Sequence, residues 1–168
     1  MRQTIFIYLI FLLVGVPVLA IGNELPAPEG EVLLTVTGNI AHTNAGTQAH
    51  FDRELLKNLS PLTICTRTPW HRETSCFRGP LMRELLAAVG AQGDSIVVQA
   101  LNRFEAEISV QELHDYDVIL AMSRNGEPMP IRELGPLFVL YPFGEHPELH
   151  TEAVRFRSVW HVASIHVR

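Results

Sequence analysis

Residues 66–73, T-R-T-P-W-H-R-E, bring together the side chains best suited to binding a small polar ligand. Arginine can donate forked hydrogen bonds or stack on a flat ring, and tryptophan offers an aromatic face. The combination suits a flat, hydrogen-bonding heterocycle, but a solvated loop with one tryptophan folded onto the core fits the residues equally well. The candidate ligand-binding residues in this segment are Arg67, Thr68, Trp70, His71 and Arg72.

Other kinds of site lack the motifs that would support them. His146 and His150 are four residues apart in H-P-E-L-H, but Pro147 predicts a loop, and no carboxylate or cysteine pattern completes a zinc site. His161 and His166 would face opposite sides of a terminal strand. The sequence has no G-x-S-x-G, G-x-G-x-x-G or P-loop motif, so the hydrolase, dinucleotide and nucleotide interpretations lack support.

Cys65 and Cys76 are the only cysteines of the chain. In an exported protein such a pair can form a disulfide, and a loop this short would be stabilised by roughly 2–3 kcal/mol. Equally, Cys65 ends the apolar segment L-T-I-C and could be a buried thiol. Both interpretations stay open at this point, because the sequence does not give the distance between the two Cα atoms.

The first twenty residues predict a secretory signal peptide. Arg2 precedes an apolar run over residues 5–16, and V-L-A at residues 18–20 suits cleavage after Ala20. An uncleaved membrane anchor is the competing interpretation, but the run is shorter than the roughly 20 apolar residues that span a bilayer, and Pro17 interrupts its end. We therefore expect a periplasmic protein.

Size and composition indicate one globular domain after this segment. The chain has 168 residues, 47% of them hydrophobic and 18% charged, which is enough to build a core. Its net charge of −5 argues against a nucleic-acid-binding protein. The expected organisation is a signal peptide over residues 1–20, a flexible lead-in over 21–31 and one domain over 32–168.

Short strands and short helices alternate along the domain, which predicts the α+β class with a mixed or antiparallel sheet. The expected helices lie near residues 50–59, over 80–89 with Pro80 as the first residue and Gly90 as the cap, and at a capping box formed by Ser109 and Glu112. Asn125-Gly126 predicts a hairpin turn. The expected strands lie within residues 31–40, 61–65, 95–101, 103–108, 116–122, 137–142 and 158–167.

Four segments, in this order and spacing, resemble the molybdopterin-binding domain of the sulfite oxidase superfamily. They are C-F-R-G-P-L-M-R-E-L-L-A-A-V-G-A-Q, A-L-N-R-F-E-A-E-I, V-I-L-A-M-S-R-N-G-E-P-M-P-I-R-E-L-G-P-L-F-V-L-Y-P and V-W-H-V-A-S-I-H-V. The chain looks most like small exported proteins built from that domain alone. The resemblance covers residues 33–167 and implies the sulfite-oxidase-type fold, a mixed β-sheet with a few short helices and a pterin pocket lined by loops.

The chain departs from the catalytic members of that superfamily at three positions. When the sequences are placed in register at Trp70, Thr66 or a neighbour stands where the catalytic members have the cysteine that binds molybdenum. Cys65 is one residue away and would therefore face the other side of a strand. Where they carry an arginine and a lysine, this chain has Phe138 and Val159. The resemblance with these changes implies a pocket for a reduced pterin without phosphate or metal.

The resemblance also extends the set of candidate pterin-binding residues beyond residues 66–73. Trp70 or Trp160 would stack on the pterin, and Trp160 could instead be a core residue. The additional candidates are Asn102, Arg103, Tyr141 and Trp160.

The implied function is that of a non-catalytic, exported pterin-binding regulator that acts on the periplasmic domain of a membrane-bound cyclic-di-GMP enzyme. One alternative is a molybdopterin-dependent oxidoreductase with Cys65 as metal ligand, and another is a protein-interaction module with a filled pocket.

Overall fold

Eleven strands and four α-helices form the part of the chain that the computed structural model describes, residues 25–168. The expected signal peptide, residues 1–20, lies outside the described residues. The strands are β1 (Leu34–Gly38), β2 (Ala49–Phe51), β3 (Pro61–Thr68), β4 (His71–Pro80), β5 (Ser95–Ala100), β6 (Glu105–Ser109), β7 (Ile119–Ala121), β8 (Ser123–Arg124), β9 (Glu127–Pro128), β10 (Phe138–Leu140) and β11 (Val162–Val167). The helices are α1 (Arg53–Asn58), α2 (Met82–Ala88), α3 (Val110–Asp115) and α4 (Glu152–Arg157), and two short 3-10 helices span Ile131–Glu133 and Pro147–Leu149.

The strands form a five-stranded sheet, a four-stranded sheet and a two-stranded sheet. In the first, the order is β2-β1-β11-β5-β6, and β1 pairs parallel to β11 while the other pairs are antiparallel. The second has the order β3-β4-β8-β9, and β7 pairs with β10. The predicted α+β class with a mixed sheet and a few short helices is therefore confirmed.

Residues 61–80 form a long β-hairpin, so the prediction of a polar loop after Cys65 is wrong. Strand β3 continues to Thr68, and only two residues separate it from β4. Burial alternates along β3, with Ile64, Thr66 and Thr68 buried and the residues between them exposed. The period of two was present in the sequence, but two of the three inward positions are threonines, which an apolar pattern does not count.

The hairpin also decides between the two interpretations of the cysteines. Cys65 and Cys76 lie opposite each other in the β3–β4 register with their Cα atoms 3.9 Å apart, and they form a disulfide. The backbone of Cys76 hydrogen-bonds to Asn125 on the other side of β4, so Cys65 and Cys76 are a non-hydrogen-bonded pair, the closer of the two kinds of antiparallel pair. Cys65 is on the exposed face of β3.

We predict that loss of this disulfide lowers the free energy of unfolding by about 2–3 kcal/mol, because it removes a constraint on the unfolded chain. The test is denaturant unfolding of the oxidised protein with and without a reducing agent. The double variant Cys65→Ser/Cys76→Ser serves as control and should be insensitive to the reducing agent. Equal stability of the oxidised and reduced wild type would contradict the prediction.

Strand pairing shifts the start of α2 by two residues from the predicted position. Pro80 is the last residue of β4, and Leu81 is extended, because its N–H donates to the carbonyl of Ser60 and it bridges to Ile119. The helix begins at Met82. Gly90 has φ of +60°, which confirms the predicted left-handed cap.

The predicted capping box is absent from α3, although the helix itself is present. Ser109 is at the N-cap position but its side chain makes no capping hydrogen bond. Glu112 is instead bound by Tyr141 and Arg157. The hairpin turn at Asn125-Gly126 is confirmed, with φ of 52° and 88°.

Asp52 ties the described part of the expected lead-in to the domain. Its carboxylate caps α1 by accepting from the N–H of Leu55, and it also accepts from the N–H groups of Glu29 and Gly30 at 2.8 Å. The hydrogen bonds from Leu55 and Gly30 lower the pKa of Asp52. Among residues 25–168, no helix is long and apolar enough to cross a membrane.

Candidate ligand-binding site

A cavity of about 410 Å³, called here the tryptophan cavity, opens between the tip of the β3–β4 hairpin, the β5–β6 turn and α4. Both tryptophans of the chain line it, and their rings meet edge to face with centroids 5.3 Å apart. Asn102 and Arg155 supply polar groups at its edge. Of the predicted residues, the structure therefore brings Trp70, Asn102 and Trp160 together.

The hairpin tip holds Trp70 in a fixed position. The hydroxyl oxygen of Thr68 accepts the N–H groups of Trp70 and His71 at 3.3 and 3.1 Å, which closes the tight turn between β3 and β4. The indole packs edge to face on Phe138 and Phe143, with centroid distances of 5.6 and 6.5 Å. One side of Trp70 thus rests on the core, and the half-buried remainder faces the cavity.

Two phenylalanines form an apolar rim around the mouth of the tryptophan cavity. Phe104 and Phe156 pack edge to face with centroids 4.8 Å apart, and Phe156 is 57% exposed. Phe104, Arg155 and Phe156 are not among the predicted site residues, and Arg155 and Phe156 lie in a helix, residues 152–157, that was not predicted. Signals for α4 were nevertheless present: Thr151 caps it through the N–H of Val154, and its last turn is basic.

A second, smaller cavity of about 330 Å³, called here the basic cavity, adjoins the first. Arg67, Thr68, His150 and Arg155 line it together with Pro69. Pro69 and Arg155 also line the tryptophan cavity, so the two spaces are neighbours. His150 is the one member that the sequence analysis considered only as a metal ligand.

A third cavity, of about 620 Å³, lies between residues 26–33 and α1, away from both tryptophans. Its lining includes the carboxylates of Glu29, Glu31 and Glu54, and the Asp52 carboxylate there already binds three backbone N–H groups. The lining carries no aromatic ring to stack on a ligand. The tryptophan cavity is therefore the better candidate site despite its smaller volume.

His71 faces away from both cavities and links the hairpin to β8. Arg124 donates to its Nε2 at 2.8 Å, because a guanidinium can only donate, so Nδ1 carries the proton and donates to the Thr68 hydroxyl at 2.8 Å. Burial and the Arg124 charge lower the pKa of His71. Arg72, the next residue, is exposed and lines neither cavity.

We predict that His71 makes the protein less stable as the pH falls. Below its ordinary pKa of 6.5, the unfolded histidine binds a proton that the folded one resists, so acid favours unfolding. The free energy of unfolding of the wild type should fall more steeply between about pH 7 and pH 5 than that of His71→Gln. His114→Gln, which changes an exposed histidine, is the control, and identical slopes for wild type and His71→Gln would refute the assignment.

Tyr141 lies in the core and does not reach either cavity. It is fully buried, and its hydroxyl donates to Glu112. Glu112 also binds Arg157, through a hydrogen bond of 3.0 Å from Nε and an ion-pair contact of 2.9 Å with Nη2. Burial and the neighbouring Glu112 raise the pKa of Tyr141. Arg103 lies in the β5–β6 turn with φ of 69°, its N–H bonded to the carbonyl of Ala100, and it lines neither cavity.

We predict that Tyr141→Phe lowers the free energy of unfolding by about 1.5–3 kcal/mol, because it removes a hydrogen bond to a charged and largely buried carboxylate. Denaturant unfolding measures the change. Tyr116→Phe is the matched control, since the ring of Tyr116 is half-buried and packs on His146. A loss no larger than that of the control would contradict the role given to the Tyr141 hydroxyl.

Comparison with known proteins identifies related sequences and folds. The profile of the family described as "Oxidoreductase molybdopterin binding domain" matches residues 40–143. Among solved structures, the sulfane dehydrogenase SoxCD from Paracoccus pantotrophus has a similar fold, with a TM-score of 0.59 and 17% sequence identity. The alignment covers 80% of this chain but 37% of the SoxCD chain, so this chain spans well under half of that protein. No curated protein sequence gives a significant match.

The molybdenum end of the family's cofactor does not fit the residues present. In the catalytic members that this sequence resembles, a cysteine thiolate binds molybdenum, whereas here Cys65 is joined to Cys76 on the exposed face of β3. Thr66 takes the inward position, packs against Gly144 and lines neither cavity. Within residues 25–168, no group of three or more histidine, cysteine, aspartate or glutamate residues is placed to hold a metal ion. The aromatic and polar lining of the tryptophan cavity, in contrast, fits the pterin ring system.

Proposed function

The chain belongs to the family of oxidoreductase molybdopterin-binding domains, and from that premise we propose that it binds a reduced pterin without a metal in the tryptophan cavity. The observation that carries the proposal is that both tryptophans line one cavity and contact each other there. A volume of about 410 Å³ is in the range of small-molecule sites.

The polar groups at the cavity edge complement the hydrogen-bonding edge of a pterin. The Oδ1 atom of Asn102 accepts the N–H of Phe104 at 3.0 Å, which orients the side-chain amide and leaves its NH₂ group to donate to a ring carbonyl or nitrogen. Phe104 and Phe156 extend the apolar surface over which the ring would lie. Stacking therefore supplies the affinity, and Asn102 and Arg155 supply the orientation.

The disulfide supports a non-catalytic, exported role. The Cys65 sulfur, one residue from the position of the metal ligand in catalytic members, is used in the disulfide and is not free to bind a metal. Disulfides also persist in oxidising compartments outside the cytoplasm. We therefore propose a periplasmic protein secreted by a cleaved signal peptide. Its likeness to small exported pterin-responsive regulators supports a further step, in which it acts on the periplasmic domain of a membrane-bound cyclic-di-GMP enzyme.

The apolar rim offers such a partner a surface that depends on the ligand. Phe104 and Phe156 are 37% and 57% exposed, and both line the cavity. A partner that contacts this rim would therefore sense whether the cavity is filled.

The test of pterin binding uses the intrinsic fluorescence of the protein. Because both tryptophans line the cavity, a reduced pterin that stacks there should quench most of the emission, with one ligand per chain. Phe156→Ala should weaken binding by about three- to tenfold, because a stacked aromatic contact contributes about 0.5–1.5 kcal/mol beyond its buried area. Calorimetry gives the affinities.

Ile131→Ala is the matched control, since Ile131 is 60% exposed and lines neither cavity. The proposal fails if no reduced pterin binds at micromolar concentration. Stoichiometric molybdenum in protein purified from its native host would instead support the alternative, a molybdopterin-dependent oxidoreductase, which the family match also favours.

A further inference from the structure

We propose that the basic cavity is an anion subsite, which binds a phosphate or carboxylate carried on the side chain of the ligand in the tryptophan cavity. This inference rests on the proposed function and names the chemical class of the ligand: a pterin with an anionic tail. It replaces the expectation of a pterin without phosphate, because the cations of the basic cavity come from positions that the family resemblance does not indicate.

The lining of the basic cavity is positively charged and contains no carboxylate. The guanidinium groups of Arg67 and Arg155 approach it from β3 and from α4. Neither of them forms an ion pair with an acidic residue in the described part of the chain. Two arginines near each other repel, and an anion between them would relieve that repulsion and accept charge-assisted hydrogen bonds from both.

Thr68 has a hydroxyl proton that its other contacts leave available. Its oxygen accepts from the N–H groups of Trp70 and His71 and from Nδ1 of His71. The two lone pairs of the oxygen are shared among these three donors, which leaves the O–H proton of Thr68 to donate to another acceptor. Thr68 is 7% exposed and lines the basic cavity, where the oxygen of an anion would be the acceptor.

His150 is fixed in orientation by the core. Its Nε2 lies 3.0 Å from the carbonyl oxygen of Phe143, and because a carbonyl can only accept, Nε2 is the donor. The same Phe143 packs on Trp70. The histidine of the basic cavity and the indole of the tryptophan cavity are therefore held by one buried ring.

The two cavities are arranged for one ligand with a ring and a tail. Pro69 and Arg155 line both, so an anionic group next to Arg155 would be close to a ring stacked on Trp70. The positions where the resemblance places the family's cations cannot serve here, because Phe138 and Val159 are apolar and buried in the core. The positive charge that could bind an anionic tail is instead supplied by Arg67 and Arg155 in the basic cavity.

The experiment compares three pterins that differ only in the tail: dihydroneopterin, which is neutral, dihydroneopterin monophosphate, and a dihydropterin carboxylate. At low salt the anionic ligand that matches the site should bind about tenfold more tightly than the neutral one, which corresponds to about 1.4 kcal/mol. The phosphate and carboxylate arms show which anion the subsite prefers. The preference should decrease as salt rises toward 1 M, where the Debye length is about 3 Å.

The double variant Arg67→Gln/Arg155→Gln should lose the preference, measured as the ratio of the affinities for the anionic and the neutral pterin. The single variant Arg67→Gln, at a residue that does not line the tryptophan cavity, should weaken the preference and keep the affinity for the neutral pterin within about threefold. Both arginines are exposed, so the variant should fold, and circular dichroism checks that it does. Arg72→Gln is the matched control, since Arg72 is an exposed arginine of the same hairpin that lines neither cavity. It should keep the full preference.

Each outcome separates the two proposals. Equal affinity for the neutral and anionic pterins in the wild type, or a preference that survives in the double variant, would overturn the anion subsite and leave pterin binding intact. Failure of all three pterins to bind would overturn both. Loss of the preference in Arg72→Gln as well would assign it to the overall charge of the hairpin and also overturn the subsite.

Discussion

The candidate site depends on the pairing of the Glu112 carboxylate with Tyr141 and Arg157. The carboxylate accepts hydrogen bonds from Tyr141 after β10 and from Arg157 at the end of α4, so one partly buried charge joins three elements that are far apart in sequence. A charge with little access to water is stable only when it is paired and hydrogen-bonded, so the position of α4 is tightly constrained. That position brings Phe156 to the rim of the tryptophan cavity and Arg155 between the two cavities.

The hairpin tip supplies the opposite wall by a different means. The disulfide fixes the pairing of β3 with β4, and the Thr68 hydroxyl closes the turn that carries Trp70. Phe138 and Phe143 support the indole from below. Two of the residues that differ from the catalytic members of the superfamily thus have structural roles here: Thr66 packs against Gly144, and Phe138 supports Trp70. The neighbouring Cys65 stabilises the hairpin.

Under the proposed function, a fold shared with oxidoreductases would serve as a receptor. Its aromatic cavity wall would bind a flat ring, and the cations at the edge would select the substituents of that ring, without a metal. The exposed rim of Phe104 and Phe156 borders the same opening. Ligand, rim and partner would then meet at one surface, which is the simplest physical arrangement for a regulator that reports occupancy.

The fold class and most elements could be predicted from the sequence, because they follow from local patterns. The strands β1, β5 and β6 follow alternating or continuous apolar residues. Gly90 ends a helix and Asn125-Gly126 forms a hairpin turn, because these residues adopt backbone conformations that few others do. Family membership was also apparent from the order of short motifs. The hairpin beyond Cys65 was missed because its inward positions are threonines, and α4 was missed because most of its six residues are exposed.

The site residues divide in the same way. Trp70, Asn102 and Trp160 were predicted as site residues and line one cavity. Their prediction succeeded because side-chain chemistry and resemblance to a family both indicate which loops along the chain contribute to a site. Only the tertiary structure decided that Tyr141 is a core residue, that His71 belongs to a link with Arg124, and that Arg155 stands beside Arg67. Sequence determines what each side chain can do, whereas contact between residues nearly ninety positions apart depends on how helices and sheets pack, which no local pattern records.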